Sequence, residues 1–104
     1  MTRQPLAVSK PVMRDLVRLA AMEVPGVLRV GWDGGPLRRL FAGWPVVVRV
    51  RGGVVEARVV VIARPGQPLA LLATDVRAAV AAAIERLLGL ELGEVTVRID
   101  GVGG

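Results

Sequence analysis

The side chains that most often carry out chemistry are scarce in this sequence. Cysteine and histidine are absent, which excludes disulfides, thiolate or imidazole metal ligands and a histidine general base. Ser9 is the only serine, and without a nearby base its hydroxyl is a weak nucleophile and a better helix cap. The carboxylates lie apart, with no spacing typical of a catalytic pair. We therefore expect a protein that is not an enzyme, with no catalytic residue, metal, cofactor or small-molecule substrate.

Arginine is the abundant ionisable residue: it supplies thirteen of the fourteen basic residues, and nine acidic residues leave a net charge of +5. Four arginines alternate with strand valines and should share the sheet face opposite the helices: Arg49, Arg51, Arg58 and Arg98. Such a face could hold the phosphates of a nucleic acid, although it lacks stacking aromatics. The alternative is a solvated face with Glu56 and Asp100 as partial ion-pair partners.

A second candidate surface is the side of the last predicted helix that faces away from its apolar stripe. It has fewer long polar side chains than a solvent-facing helix surface usually carries. The candidate residues are Ala78, Ala81, Ala82 and Glu85. Small side chains permit close approach by another surface, though alanine is also the best helix former. We predict that the chain self-associates through this face, with an exposed strand edge as the alternative.

The elements that position these residues follow from hydrophobic periodicity. With 104 residues, 53% of them apolar, the chain suffices for one domain, residues 1–104. Strands are predicted at residues 6–8, 27–32, 46–51, 54–62 and 95–100. The first helix is predicted to follow Ser9 as its N-cap, with Pro11 in its first turn, and to end near Val24-Pro25-Gly26. The second helix is predicted at residues 68–88. Gly52-Gly53 predicts a tight hairpin, and Asp33-Gly34 a turn. Residues 37–43 are ambiguous, with one amphipathic turn.

Two apolar stripes define the predicted buried sides of the helices. The first consists of Val12, Leu16, Leu19 and Ala20, and the second of Leu69, Leu72, Val76, Val80, Ala83 and Leu87. The order β-α-β-β-β-α-β predicts an α+β two-layer sandwich, with two helices packed on one face of a mainly antiparallel sheet.

The apolar stretches fall far short of the ~20 residues that span a bilayer. The start of the chain lacks the apolar block of a signal peptide. We expect a cytoplasmic protein that reaches the membrane through a partner, if at all.

Several of these features together resemble the alkaline shock protein family of bacteria. They are Val24-Pro25-Gly26-Val27 after a helix, the valine hairpin, the long second helix, and the closing strand that runs from Val95 to Val102. The resemblance covers nearly the whole chain. It implies a cytoplasmic, self-associating, non-enzymatic protein of cell-envelope stress, held at the inner face of the membrane in some members by a membrane-spanning partner.

Overall fold

The computed structural model describes residues 9–103, so the strand predicted at residues 6–8 lies outside the described residues. In chain order the elements are α1 (Lys10–Met22), β1 (Val27–Val30), α2 (Pro36–Ala42), β2 (Val46–Arg51), β3 (Val54–Ala63), α3 (Leu69–Ala83) and β4 (Glu91–Val102). After α3 the chain makes one π-helical turn, Ile84–Leu88, and Gly89 ends it in the left-handed region at a φ of 62°.

The strand β3 is the centre of the sheet. It pairs antiparallel with β1 and β2, and parallel with β4 along residues 54–63. Because β4 occupies one edge of β3, β1 and β2 must share the other edge, end to end. Val60 marks their junction: its N–H donates to the carbonyl of Pro45 at 2.8 Å, and its carbonyl accepts from the N–H of Gly31 at 2.9 Å.

The predicted α+β fold with a mainly antiparallel sheet is confirmed. The single parallel pairing, β3 with β4, follows from the connection between them. A helix that crosses over one face returns the chain in the same direction. The hairpin between β2 and β3 is also as predicted, since Gly52 and Gly53 both have positive φ, at 56° and 81°.

The core lies between α1, α3 and one face of the sheet. It is built largely from valine and alanine, including Val55, Ala57 and Val59 of β3, all of them buried. Val60 and Ile62 point to the opposite face of β3, and they too are fully buried. The carboxyl half of β3 is therefore covered on both sides, which explains its uninterrupted apolar run.

The predicted buried side of α1 is wrong at two of its four residues, and a third, Leu16, is half-buried. Val12 and Leu19 are 49% and 60% exposed, and of that stripe only Ala20 is buried. The buried residues are Met13, Val17, Ala20 and Ala21. Both sets have helical spacing, so the periodicity of α1 left two apolar sides to choose from. Contact with the sheet and with α3 buries the set that contains Met13 and Val17.

The predicted stripe of the last helix is confirmed in its middle and wrong at its ends. Leu72, Val76 and Val80 are buried, whereas Leu69 and Leu87 are exposed. Ile84 takes the place expected for Leu87. Ile84 continues the four-residue spacing of Leu72, Val76 and Val80, which keeps it on the buried side of the helix.

Within residues 9–103, each helix is too short or too polar to cross a lipid bilayer.

The assignment of the α1 core face predicts different costs for the same truncation at two positions. We expect Val17→Ala to lower the free energy of unfolding by about 2 kcal/mol, because two methyl groups leave a closed core. Val12→Ala should cost less than about 0.5 kcal/mol, because its side chain is half in solvent. Urea titrations of both variants measure the difference, and equal losses would contradict the assignment.

Candidate functional site

Residues 32–44 leave the sheet after β1 and return to it at the start of β2; we call this segment the arm. Gly31 and Pro45, on either side of it, are both hydrogen-bonded to Val60. The arm must therefore begin and end at nearly the same point of the sheet edge. The segment leaves the sheet as a loop that contains α2, and its contacts with Asp100 and Arg98 of β4 bring it over the face of β3.

The helix α2 turns its apolar side away from the domain. Leu37, Leu40 and Phe41 are spaced three and four residues apart, so they share one side of the helix. They are 71%, 72% and 81% exposed. The half-buried Ala42 and the ion-paired Arg38 lie on the other side. A surface helix normally does the reverse, burying its apolar stripe.

Asp100 of β4 anchors the arm. Its Oδ2 accepts from the backbone N–H of Asp33 at 2.8 Å and from Nη1 of Arg38 at 2.7 Å. Its Oδ1 accepts from Nη2 of Arg38 at 3.1 Å and from Nε of Arg98 at 3.3 Å. The Asp100 side chain is only 3% exposed. A buried carboxylate needs such partners, and a bidentate arginine is the strongest single one.

A β-bulge lies at Asp100. In the register of β4 with β3, Ile99 lies beside Val61 and Gly101 beside Ile62, so Asp100 is an extra residue. Its carboxylate stays on the side of the strand that carries Arg98, with which it is hydrogen-bonded. The arm therefore meets β4 on the sheet face opposite the helices.

Gly101 makes room for the amino-terminal end of the arm. A Cβ atom at Gly101 would lie 2.5 Å from Oδ2 of Asp33 and 3.1 Å from its Cβ. Any larger residue would push Asp33 away from the strand. The turn predicted at Asp33 therefore also has a packing role.

The two tryptophans of the arm stack with arginines. The guanidinium carbons of Arg38 and Arg98 lie 5.7 Å and 5.4 Å from the Trp32 ring centroid. Nε1 of Trp32 donates to the carbonyl of Gly43 at 3.0 Å, which ties the two ends of the arm together. Trp44 is 69% exposed, with Arg14 of α1 at 5.3 Å from its centroid.

These contacts shift the pKa values of Asp100 and Arg38. Hydrogen bonds from the Arg38 guanidinium and the Asp33 N–H, with a smaller contribution from Arg98, hold the pKa of Asp100 well below its usual range. The same pairing raises the pKa of Arg38. Both groups are therefore charged at neutral pH.

The arginines predicted to share a sheet face do so, but they do not act as one group. Arg49 and Arg58 line a shallow pocket of about 200 Å³ together with Glu56 and Glu94. Arg98 instead belongs to the Asp100 anchor. Arg51 lies beside the hairpin turn and pairs with Val54.

The predicted self-association residues all lie on the surface of the helix layer. Ala78 and Glu85 are exposed, and Ala81 and Ala82 are half-buried. Ala82 also lines a groove of about 420 Å³ between α1 and α3. The groove is lined by Leu16, Leu19, Ala20, Glu23, Ala79, Ala82, Ala83, Arg86 and Leu87.

Residues 9–103 hold no cluster of three or more acidic side chains that could bind a metal ion.

The sequence analysis missed the arm. The spacing of Leu37, Leu40 and Phe41 was a usable signal for a helix. The sequence held no signal for the outward orientation of this helix, because that orientation depends on Asp100, which is about sixty residues away along the chain.

Residues 2–103 match the model of the alkaline shock protein family, a family of cell envelope-related function. The chain belongs to this family. No protein of curated function matches it in sequence.

Solved structures of the MamM CTD are similar in fold. One, a variant in a manganese form, has a TM-score of 0.64 and 19% sequence identity, with 91% of this chain and 87% of that chain covered. A second variant has a TM-score of 0.64 and 20% identity, with 89% and 98% covered. A zinc form has a TM-score of 0.57 and 19% identity, with 88% and 84% covered. At this identity the likeness concerns the fold alone.

The depressed pKa of Asp100 predicts a pH-dependent attachment of the arm. A carboxylate whose pKa is lower in the folded state stabilises it above the unfolded pKa of about 4, and this is lost as the pH falls through the folded pKa. Asp100→Asn should therefore be less stable than the unmodified protein at neutral pH, and the difference should shrink below about pH 4. Urea unfolding of both proteins from pH 7 to pH 2 measures this, and a difference independent of pH would contradict it.

Gly101→Ala should release the arm without unfolding the sheet. The new methyl group would occupy the place of the Asp33 carboxylate, so the hydrogen bond from the Asp33 N–H to Asp100 should open. Hydrogen exchange of residues 33–43 should accelerate while that of β3 stays slow. Gly35→Ala is a matched control, because a Cβ atom there meets no other atom within 4 Å. Unchanged exchange in Gly101→Ala would contradict this role.

Proposed function

We propose that this protein is a non-enzymatic scaffold of cell-envelope stress homeostasis, which acts by self-association and partner binding on the cytoplasmic side of the membrane. Membership of a family with cell envelope-related function supports a role at the cell envelope. The observation that carries the scaffold role is the amount of apolar surface outside the core. Two separate regions expose large apolar side chains: the helix layer and the arm.

The helix layer is the surface that suits a second copy of this chain. Exposed Leu19 and Leu87 border the groove between α1 and α3, and small alanines form its floor. Close approach there buries no unpaired charge apart from Glu23 and Arg86. These two residues have opposite charges, and a two-fold axis would let each face the other residue of the second copy.

Binding to a membrane-spanning partner protein is the second part of the proposal. It is supported by the resemblance to the alkaline shock protein family, in which a membrane-spanning partner holds some members at the inner face of the membrane. A nucleic-acid-binding role has weaker support, because Glu56 and Glu94 lie among the arginines of the sheet face. It stays a prediction.

Self-association can be tested by adding one negative charge to the helix layer in some variants and to the sheet face in a control variant. We expect light scattering at micromolar concentration to give a dimer or larger species for the unmodified protein. Ala78→Glu and Ala82→Glu should shift it to monomer, because a carboxylate in an apolar contact is costly to desolvate. Thr96→Glu adds the same charge to an exposed site of the sheet face and should leave the mass unchanged. Circular dichroism confirms that each variant is folded.

Two results would contradict the proposal. One is a strict monomer for the unmodified protein. The other is an equal loss of mass in Thr96→Glu and the helix variants, which would point to charge repulsion in general rather than to the helix layer.

A further inference from the structure

We propose that the arm binds directly to the surface of an anionic lipid bilayer. Its apolar side would enter the boundary between headgroups and acyl chains, and the surrounding basic residues would contact the lipid phosphates. The inserting side chains are Leu37, Leu40, Phe41 and Trp44.

The first argument is the direction in which the apolar side points. All four side chains are at least 69% exposed, which is unusual for a cluster of this size on one short segment. The anchor at Asp100 holds the arginine side of α2 inward, so the apolar side cannot turn in without breaking the Arg38 ion pair. The apolar side is therefore held in solvent by a specific interaction, as expected of a binding surface.

The second argument is the type of residue. Tryptophan, phenylalanine and leucine beside arginine are the side chains that bind at a membrane interface, where aromatic rings and basic head groups both find partners. Trp44 lies at the carboxyl end of the arm, with its ring largely in solvent. Arg39 of α2 is also exposed.

The third argument is charge complementarity. Lys10, Arg14 and Arg18 are spaced four residues apart on one side of α1, and Arg14 stacks on Trp44. This places a row of three basic residues beside the arm, where Asp15 is the acidic residue that lines the same pocket as Arg14, Arg18 and Trp44. The nearby carboxylate of Asp100 is already paired with two arginines.

The basic residues of the whole chain are also concentrated in the half that contains the arm. Residues 10–51 contain eight basic and three acidic residues, whereas residues 52–104 contain five basic and six acidic ones. The arm thus belongs to the basic half, and an anionic surface would attract that half first. A second copy of this chain is a poorer occupant, since it is itself basic and its helix groove contains one acid and one base.

This inference uses a different surface from the proposed self-association, so the two can fail separately. It also differs from attachment through a membrane-spanning protein, because it needs lipid alone.

Vesicle flotation with the full chain tests it. We expect the protein to float with vesicles of equimolar phosphatidylglycerol and phosphatidylcholine, and to stay behind with pure phosphatidylcholine. Raising the salt concentration should weaken the binding, because exposed charges are screened. Tryptophan emission should shift to the blue on binding, and Trp44→Phe should remove most of that shift.

The contribution of the arm is measured by truncating its apolar side. Leu40→Ser and Phe41→Ser should each weaken binding about tenfold or more, since each removes the burial of a large apolar side chain. Val50→Ser is the control, because Val50 is an exposed apolar residue (39%) on β2 that lies outside both the arm and the groove of the helix layer. It should bind vesicles like the unmodified protein.

Three outcomes would overturn the proposal. They are equal binding to the neutral vesicles, unchanged binding of the Leu40 and Phe41 variants, and an effect of those variants on the oligomeric mass but not on flotation. The last would show that the arm is a protein–protein surface.

Discussion

The pairing of β3 along both of its edges is the constraint on which the rest of the structure depends. The parallel strand β4 takes one whole edge, so β1 and β2 have to divide the other between them. The backbone groups of Val60 then bond to Gly31 and to Pro45, which leaves no space on the sheet for the residues in between. The arm exists because those residues have to leave the sheet and come back to it.

A single buried carboxylate decides how the arm is oriented. Asp100 is kept charged inside the fold, and such a group is costly unless its oxygens are hydrogen-bonded. Arg38 and the N–H of Asp33 meet that need, and both belong to the arm. The hydrophobic effect alone would turn the other side of α2 inward. The bidentate contact with Asp100 holds the arginine side of α2 against the domain, and the three apolar side chains lie in solvent.

The two apolar surfaces differ in their electrostatic surroundings, and this difference gives the molecule two distinct sides. The groove of the helix layer has one residue of each sign, whereas the arm adjoins the basic row of α1. A neutral apolar surface suits a copy of the same chain, and a basic one suits an anionic surface. The proposed scaffold role depends on both kinds of contact, one with a second copy of the chain and one with a lipid surface.

The sequence by itself determined the order of the two long helices and of the four strands from Val27 onward, the hairpin at Gly52-Gly53, the end of the last helix at Gly89 and the family. Each of these depends on local periodicity, on backbone freedom of glycine, or on motifs within a few residues. Tertiary structure decided the buried side of α1, where Met13 and Val17 were chosen over Val12 and Leu19. It also decided the parallel pairing of β4, and the outward side of α2. These depend on contacts between distant segments, above all that of Asp100 with Arg38, and two residues that far apart leave no periodic signal in the chain.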